Sequence, residues 1–269
     1  MIAIFKNTIL LFLLITATRL SGGTLSSEVS PIYIEKGDTA VLMFHGFTSS
    51  PQSLEGLAKF LARSNYTVYV PLLPGHGTKP EDLNGVKWMD WISAAEEAYQ
   101  ELRSKDFRRI FIFGHSMGGI IALRMGELHA DIDGIITTAA PINIKGLLIK
   151  LVPFLKHFVK FIKKKRNKQV RQSFFSYDVW PVSAIHELLK LVEVTKRELK
   201  SIISPLLLIQ GTDDELVPLS AIDTIYDNVS SKIKRRLILE GVGHGIPYSE
   251  KAEIVYEEIL KFIREVSKD

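Results

Sequence analysis

The chain contains no cysteine. Disulfides, thiolate metal sites, thiol nucleophiles and a lipid-modified N-terminal cysteine are excluded together. The redox compartment stays open, because a chain without cysteine works in any. Internal repeats and low-complexity tracts are also missing. No apolar run reaches the roughly 20 residues of a confident membrane span. The run from Ile9 to Ile15, extended by Thr16 and Ala17, is shorter. Lys6 precedes it and Ser21, Gly22 and Gly23 follow, the order of a secretory signal. An Ala-x-Ala site is lacking, so cleavage is open. Residues 1–25 are therefore expected to be a signal peptide or membrane anchor. That makes the protein extracytoplasmic or anchored, with a cytoplasmic location as the alternative.

Acidic residues are absent from 145–171, which hold ten Lys/Arg. The whole chain carries only +4, so the remainder is about −6. The basicity is local, which argues against general nucleic-acid binding. No base-reading aromatics are interleaved with these lysines, and no nucleic-acid partner is expected.

What the sequence does have is apolar residues, at 46% of 269. Short apolar runs read as strands: TAVLMF (39–44), YTVYVPLL (66–73), RRIFIF (108–113), GIITTAA (134–140), PLLLIQ (205–210) and RRLILE (235–240). They are continuous rather than alternating, as in parallel sheets covered on both faces. Helical patterns at 50–64, 86–104, 118–130, 220–230 and 249–268 lie between them. This alternation predicts a mostly parallel, doubly wound α/β sheet. One interval, roughly 144–204, is far longer than ordinary connections and reads as an insertion.

GHSMGG (114–119) follows RRIFIF where a strand should turn sharply into a helix. Gly114 and Gly118 flank Ser116 at positions where a side chain would meet neighbouring backbone. A serine hydroxyl needs a base, and the base an orienting acid. Two later strands run into GTDDELVP and GVGHG. His244, between two glycines, is the candidate base, and Asp214 the candidate acid, with Asp213 and Glu215 beside it. Oxyanion donors are expected from the backbone N–H groups of Met117 and of Phe47, which follows His45-Gly46 after the first strand run. His45, His76 and His115 read as structural histidines, and His129 as a helix-face residue.

HGFTSSP (45–51), PLLPGHG (71–77), WMDWISAAEEAY (88–99), GHSMGG, GTDDELVP (211–218) and GVGHG (241–245) occur in this order across most of 39–265. Together they resemble the α/β-hydrolases of the carboxylesterase and monoacylglycerol-lipase type. The resemblance implies Ser116 as nucleophile, Asp214 as acid, His244 as base and Phe47 and Met117 as oxyanion amides. It implies a cap at about 144–204 within a domain spanning 26–269.

LLIKLVPFLKHFVKFIKKKRNK (147–168) reads as an amphipathic helix opened by Pro153. Its stripe of Phe154, Leu155, Phe158, Val159, Phe161 and Ile162 would cover the active site, dock on anionic lipid, or do both. The expected function is hydrolysis of lipophilic carboxylic esters through an acyl-enzyme, without metal or cofactor. The alternatives are a peptidase or amidase of the same fold, or an idle lipid-binding module.

Overall fold

The computed structural model describes residues 29–164 and 174–268. The expected signal or anchor at 1–25 lies outside them, as do Lys165, Arg166, Lys168 and Arg171 of the basic segment. The elements are β1 (Ile32–Ile34), β2 (Thr39–Phe44), α1 (Glu55–Arg63), β3 (Thr67–Val70), α2 (Trp88–Arg103), β4 (Arg109–His115), α3 (Met117–Leu128), β5 (Gly134–Thr138), α4 (Val152–Leu155), β6 (Phe161–Lys163), β7 (Val179–Pro181), α5 (Val182–Glu198), β8 (Leu206–Gly211), α6 (Ser220–Asn228), β9 (Lys234–Leu239) and α7 (Ala252–Val266). Seven strands form one sheet in the order β1-β3-β2-β4-β5-β8-β9. All neighbours are parallel except β1 and β3.

The apolar runs are continuous because each strand divides its side chains between two cores. On β2, Ala40, Leu42 and Phe44 face one way and pack with α2, α3, α5 and α6 residues, including Trp91, Ile121, Leu191 and Ile222. Val41 and Met43 face the other way and meet Leu57 and Leu61 of α1 and Ile259 and Phe262 of α7. A period-2 strand buried on both faces cannot show polar alternation. β9 differs. As an edge strand it has one side uncovered, and Ile238 is 52% exposed.

The interval between β5 and β8 contains α4, the β6–β7 hairpin and α5. The single amphipathic helix expected over 147–168 does not form across its described part. A 3₁₀ turn at Leu147–Leu151 leads into α4, which ends after one turn. By Phe161 the chain is a strand, pairing antiparallel with Val179–Pro181. Val159, Phe161 and Ile162 suit a strand as well as a helix, and a distant partner strand decides between them. The expected stripe is consequently split. Phe154 is 64% and Phe158 70% exposed, rather than packed inward. No helix among the described residues is long and apolar enough to cross a membrane.

A half-buried polar pair lies on α3. Glu127 accepts from Arg124 at 2.7 Å, yet its other carboxylate oxygen and the Arg124 Nε are buried without partners among the described residues. Burial pushes the Glu127 carboxyl up to about 7, the Arg124 bond and charge oppose this, and Glu198 adds to it. An acid whose folded value is raised favours the fold fully below its ordinary range and loses that contribution as pH rises through about 7. Glu127→Gln is therefore expected to melt a few degrees above the native chain at pH 8. The gain should shrink or reverse at pH 5, as read by thermal unfolding at the two pH values.

Candidate active site

The carboxyl ends of the parallel strands converge on one place, where ligands of open α/β sheets bind. β4 ends at His115, and Ser116 takes φ 54°, ψ −120°, a conformation L residues rarely hold. Two glycines make this turn possible. A Cβ on Gly114 would stand 2.0 Å from the carbonyl oxygen of Gly118. A Cβ on Gly118 would stand 2.0 Å from the carbonyl oxygen of Phe44. Helix α3 thus starts hard against β4 and β2. The Ser116 amide donates to Thr138 O at 2.8 Å, tying the corner to the end of β5.

The loops after β8 and β9 are joined by backbone bonds. Thr212 N donates to Leu239 O at 3.0 Å and Asp213 N to Val242 O at 3.0 Å. A Cβ on Gly211 would lie 2.1 Å from Val242 O, so this approach also depends on glycine. The pairing brings Asp214 and His244 together. His244 Nδ1 lies 2.8 Å from Asp214 Oδ2, and His244 Nε2 lies 2.9 Å from Ser116 Oγ. The geometry orders a hydroxyl, an imidazole and a carboxylate in one chain of hydrogen bonds. Asp213 is exposed and its side chain accepts from Thr212 Oγ1, and Glu215 is exposed too.

The Asp214 side chain is fully enclosed. Burial pushes its carboxyl up. The His244 bond and charge, with the amides of Val217 and Leu216, push it down further, so it sits below the ordinary carboxylate range. Those amides donate to Oδ1 at 2.9 and 2.8 Å. The carboxylate is therefore ionised and fixed in orientation.

The two amides expected as oxyanion donors belong to Phe47, which follows Gly46, and to Met117, which follows Ser116. Gly46, beside Phe47, approaches Ser116 closely enough that a Cβ would lie 3.5 Å from the serine Cβ. Met117 opens α3, so its amide has no intrahelical acceptor. Neither amide donates to another backbone group among the described residues.

Three buried histidines are held neutral. His45 donates from Nδ1 to Gly46 O and accepts at Nε2 from Leu73 N, and burial lowers it to about 4. His115 lies 3.0 Å from Thr138 Oγ1; burial first, then the charge of His244, lowers it to about 3. His76 donates to Pro74 O and is lowered well below its usual value, chiefly by burial. His129 differs from a plain helix-face residue. It caps α3 and pairs with Glu96 at 2.6 Å.

Four residues around the site escaped the sequence reading. Buried Gln210 donates to Asp214 Oδ2 at 3.1 Å, on the oxygen that also receives His244. Lys145 Nζ donates to Asp214 O at 2.6 Å. Tyr177 donates from its amide to Thr48 O and from its hydroxyl to Gly75 O, both at 2.9 Å. Tyr248 packs on His115 and Phe174, its hydroxyl pushed up to about 12 by burial and the Asp214 charge. Only Gln210 had a visible signal, a polar side chain ending an otherwise apolar strand.

The fold and this arrangement define an α/β-hydrolase. The family described as serine aminopeptidase, S33, matches residues 35–251, and the chain belongs to it. A thermostable monoacylglycerol lipase of Bacillus sp. (strain H-257) is 31% identical over 88% of this chain and 94% of its own. A carboxylesterase of Bacillus subtilis (strain 168) is 26% identical over 88% and 96%. One of the metagenome-derived lipolytic enzymes LipS and LipT superimposes with a TM-score of 0.83 at 29% identity, covering 88% of this chain and 98% of that one. The chain is an enzyme of the carboxylic ester hydrolase class.

Gln210→Met keeps the volume and removes the donor on Asp214. A carboxylate with one donor fewer holds its proton-bearing neighbour more strongly, so the acid limb of the kcat/KM profile should move to higher pH. A roughly tenfold loss in kcat/KM should accompany it, the scale of one lost hydrogen bond to a charged group. Thermal melting monitored in parallel should fall by only several degrees, the same bond's share of the fold, so the variant stays folded at assay temperature.

Proposed function

We propose that the protein is a serine carboxylesterase or lipase acting on lipophilic esters, of the monoacylglycerol or short-to-medium acyl kind, through an acyl-enzyme. One observation carries this reading: His244 bridges Ser116 Oγ at 2.9 Å and the enclosed Asp214 carboxylate at 2.8 Å. Ser116 attacks the ester carbonyl while His244 Nε2 takes its proton. Asp214 holds the Nδ1–H and balances the imidazolium that forms. The amides of Phe47 and Met117 receive the charge that develops on the carbonyl oxygen. His244 then returns its proton to the leaving alcohol, leaving the acyl group on Ser116. A water deprotonated by His244 releases the acid and restores the serine. All of these groups belong to the chain itself.

The interval at about 144–204 acts as a cap in this reading. It is tied down on one side by Lys145 on the Asp214 loop and on the other by Tyr177 on the loops of Thr48 and Gly75. Its apolar side chains, Phe174 and Phe175 among them, favour acyl chains over charged substrates. The same cap carries the contact with the lipid in which such esters reside.

The test is hydrolysis of p-nitrophenyl esters from acetate to palmitate, beside matched amides. Ser116→Ala is expected to lose at least about 10³-fold in kcat, and Asp214→Asn about 10⁴-fold. Asp213→Asn should stay within about twofold of the native enzyme. Cleavage of the amides in preference to the esters would move the reading to a peptidase. Equal rates for the native enzyme and Ser116→Ala would remove Ser116 from the mechanism.

A further inference from the structure

The outward face of the cap combines two features. Leu151 is 50%, Phe154 64%, Phe158 70% and Ile162 38% exposed. The Phe154 and Phe158 rings stand 4.9 Å apart, so they form one apolar knob rather than scattered residues. Single exposed apolar residues are ordinary, but a contiguous group of large ones is not. Around the knob in the chain lie Lys150, Lys156, Lys160 and Lys163, three of them exposed and Lys156 half-buried. No acidic residue occurs between Lys145 and Lys163.

The neighbouring helix feels this charge. His186 on α5 is lowered by burial first, then by Lys156 and Lys190, while Glu187 opposes them. Glu187 itself is engaged, accepting from Lys190 at 2.8 Å and from the Trp88 amide at 3.4 Å. It does not neutralise the outer lysines.

We propose that this face docks on an anionic lipid surface, with Phe154 and Phe158 entering the headgroup boundary and Lys150, Lys156, Lys160 and Lys163 meeting the lipid phosphates. Aromatic side chains suit that boundary, and lysines flanking them gain from negative surface charge. The charge decides the occupant. An apolar knob flanked in the chain by four lysines repels a second copy of itself and matches an anionic bilayer. The contact would set the cap against the phase that holds lipophilic esters. It rests on the cap reading above, but its binding test needs no catalysis.

The test uses the full chain and three variants: Phe154→Ser/Phe158→Ser, Lys150→Gln/Lys156→Gln/Lys160→Gln/Lys163→Gln, and the six changes combined. Co-flotation is measured with vesicles of phosphatidylcholine alone and of phosphatidylcholine mixed with phosphatidylglycerol. The N-terminal residues are common to all four proteins, so differences report the cap. The native chain is expected to bind mixed vesicles at least about tenfold better than neutral ones, with the preference falling as salt is raised. The lysine variant should lose the preference, and the phenylalanine variant should lose the binding that survives high salt. Hydrolysis of p-nitrophenyl acetate in solution should be the same in all four, which shows that the variants fold. Equal binding to both vesicles by the native chain, or no change in either variant, overturns the proposal. So does a dimer that dissociates on the phenylalanine changes and ignores vesicles. If none of the proteins hydrolyses the ester, the esterase reading fails; the flotation result still decides the docking, with folding then checked by circular dichroism.

Discussion

At the corner between β4 and α3, two backbones come closer than a methyl group permits, and the site depends on that approach. Gly114 faces the carbonyl of Gly118, and Gly118 faces that of Phe44. The close packing lets Ser116 stand at φ 54° with its hydroxyl outside the sheet. It also leaves the first amides of α3 at the same spot. Such a backbone conformation costs energy, and it persists because β2, β4 and β5 over-determine it through parallel pairing and the Ser116 to Thr138 bond.

Everything else at the site is arranged to present groups to that corner. The β8 and β9 loops reach it as a zipped pair, which is why an acid from one and an imidazole from the other meet at 2.8 Å. The surrounding histidines are kept neutral by burial, so His244 has no imidazolium beside it. Asp214 is the opposite case, a buried charge retained because four donors converge on it. The interval between β5 and β8 bonds to the Asp214 loop through Lys145 and to the loops of Thr48 and Gly75 through Tyr177, so movement there would reach Asp214 and the loop after β2 together.

Most of the sheet could be read from the chain. Six of its seven strands overlap the apolar runs, and all of these but the edge strand β9 are buried on both faces and leave an uninterrupted hydrophobic trace. β1 escaped, being three residues long and only partly buried. α5 also went unread, although Leu188, Leu191 and Val192 bury one face at helical spacing, because it sits inside an interval with no recognisable pattern. The stretch from Phe154 to Ile162 was misread as one helix. Its spacing fits a helical stripe and a turn-then-strand equally well, and pairing with Trp180 settles it.

By itself the sequence determined the corner: Gly114, Ser116 and Gly118 stand at alternate positions directly after an apolar run, the pattern of a strand that turns sharply into a helix. It also determined that an acid and a histidine follow later strands. Only the tertiary structure decided which acidic side chain meets His244. Asp213 and Asp214 are neighbours of the same type, and their difference lies in which side chain points inward to Gln210, His244 and the amides of Leu216 and Val217. It likewise decided that Phe154 and Phe158 face outward, since the exposure of a side chain depends on strands far away in sequence and not on its own neighbours.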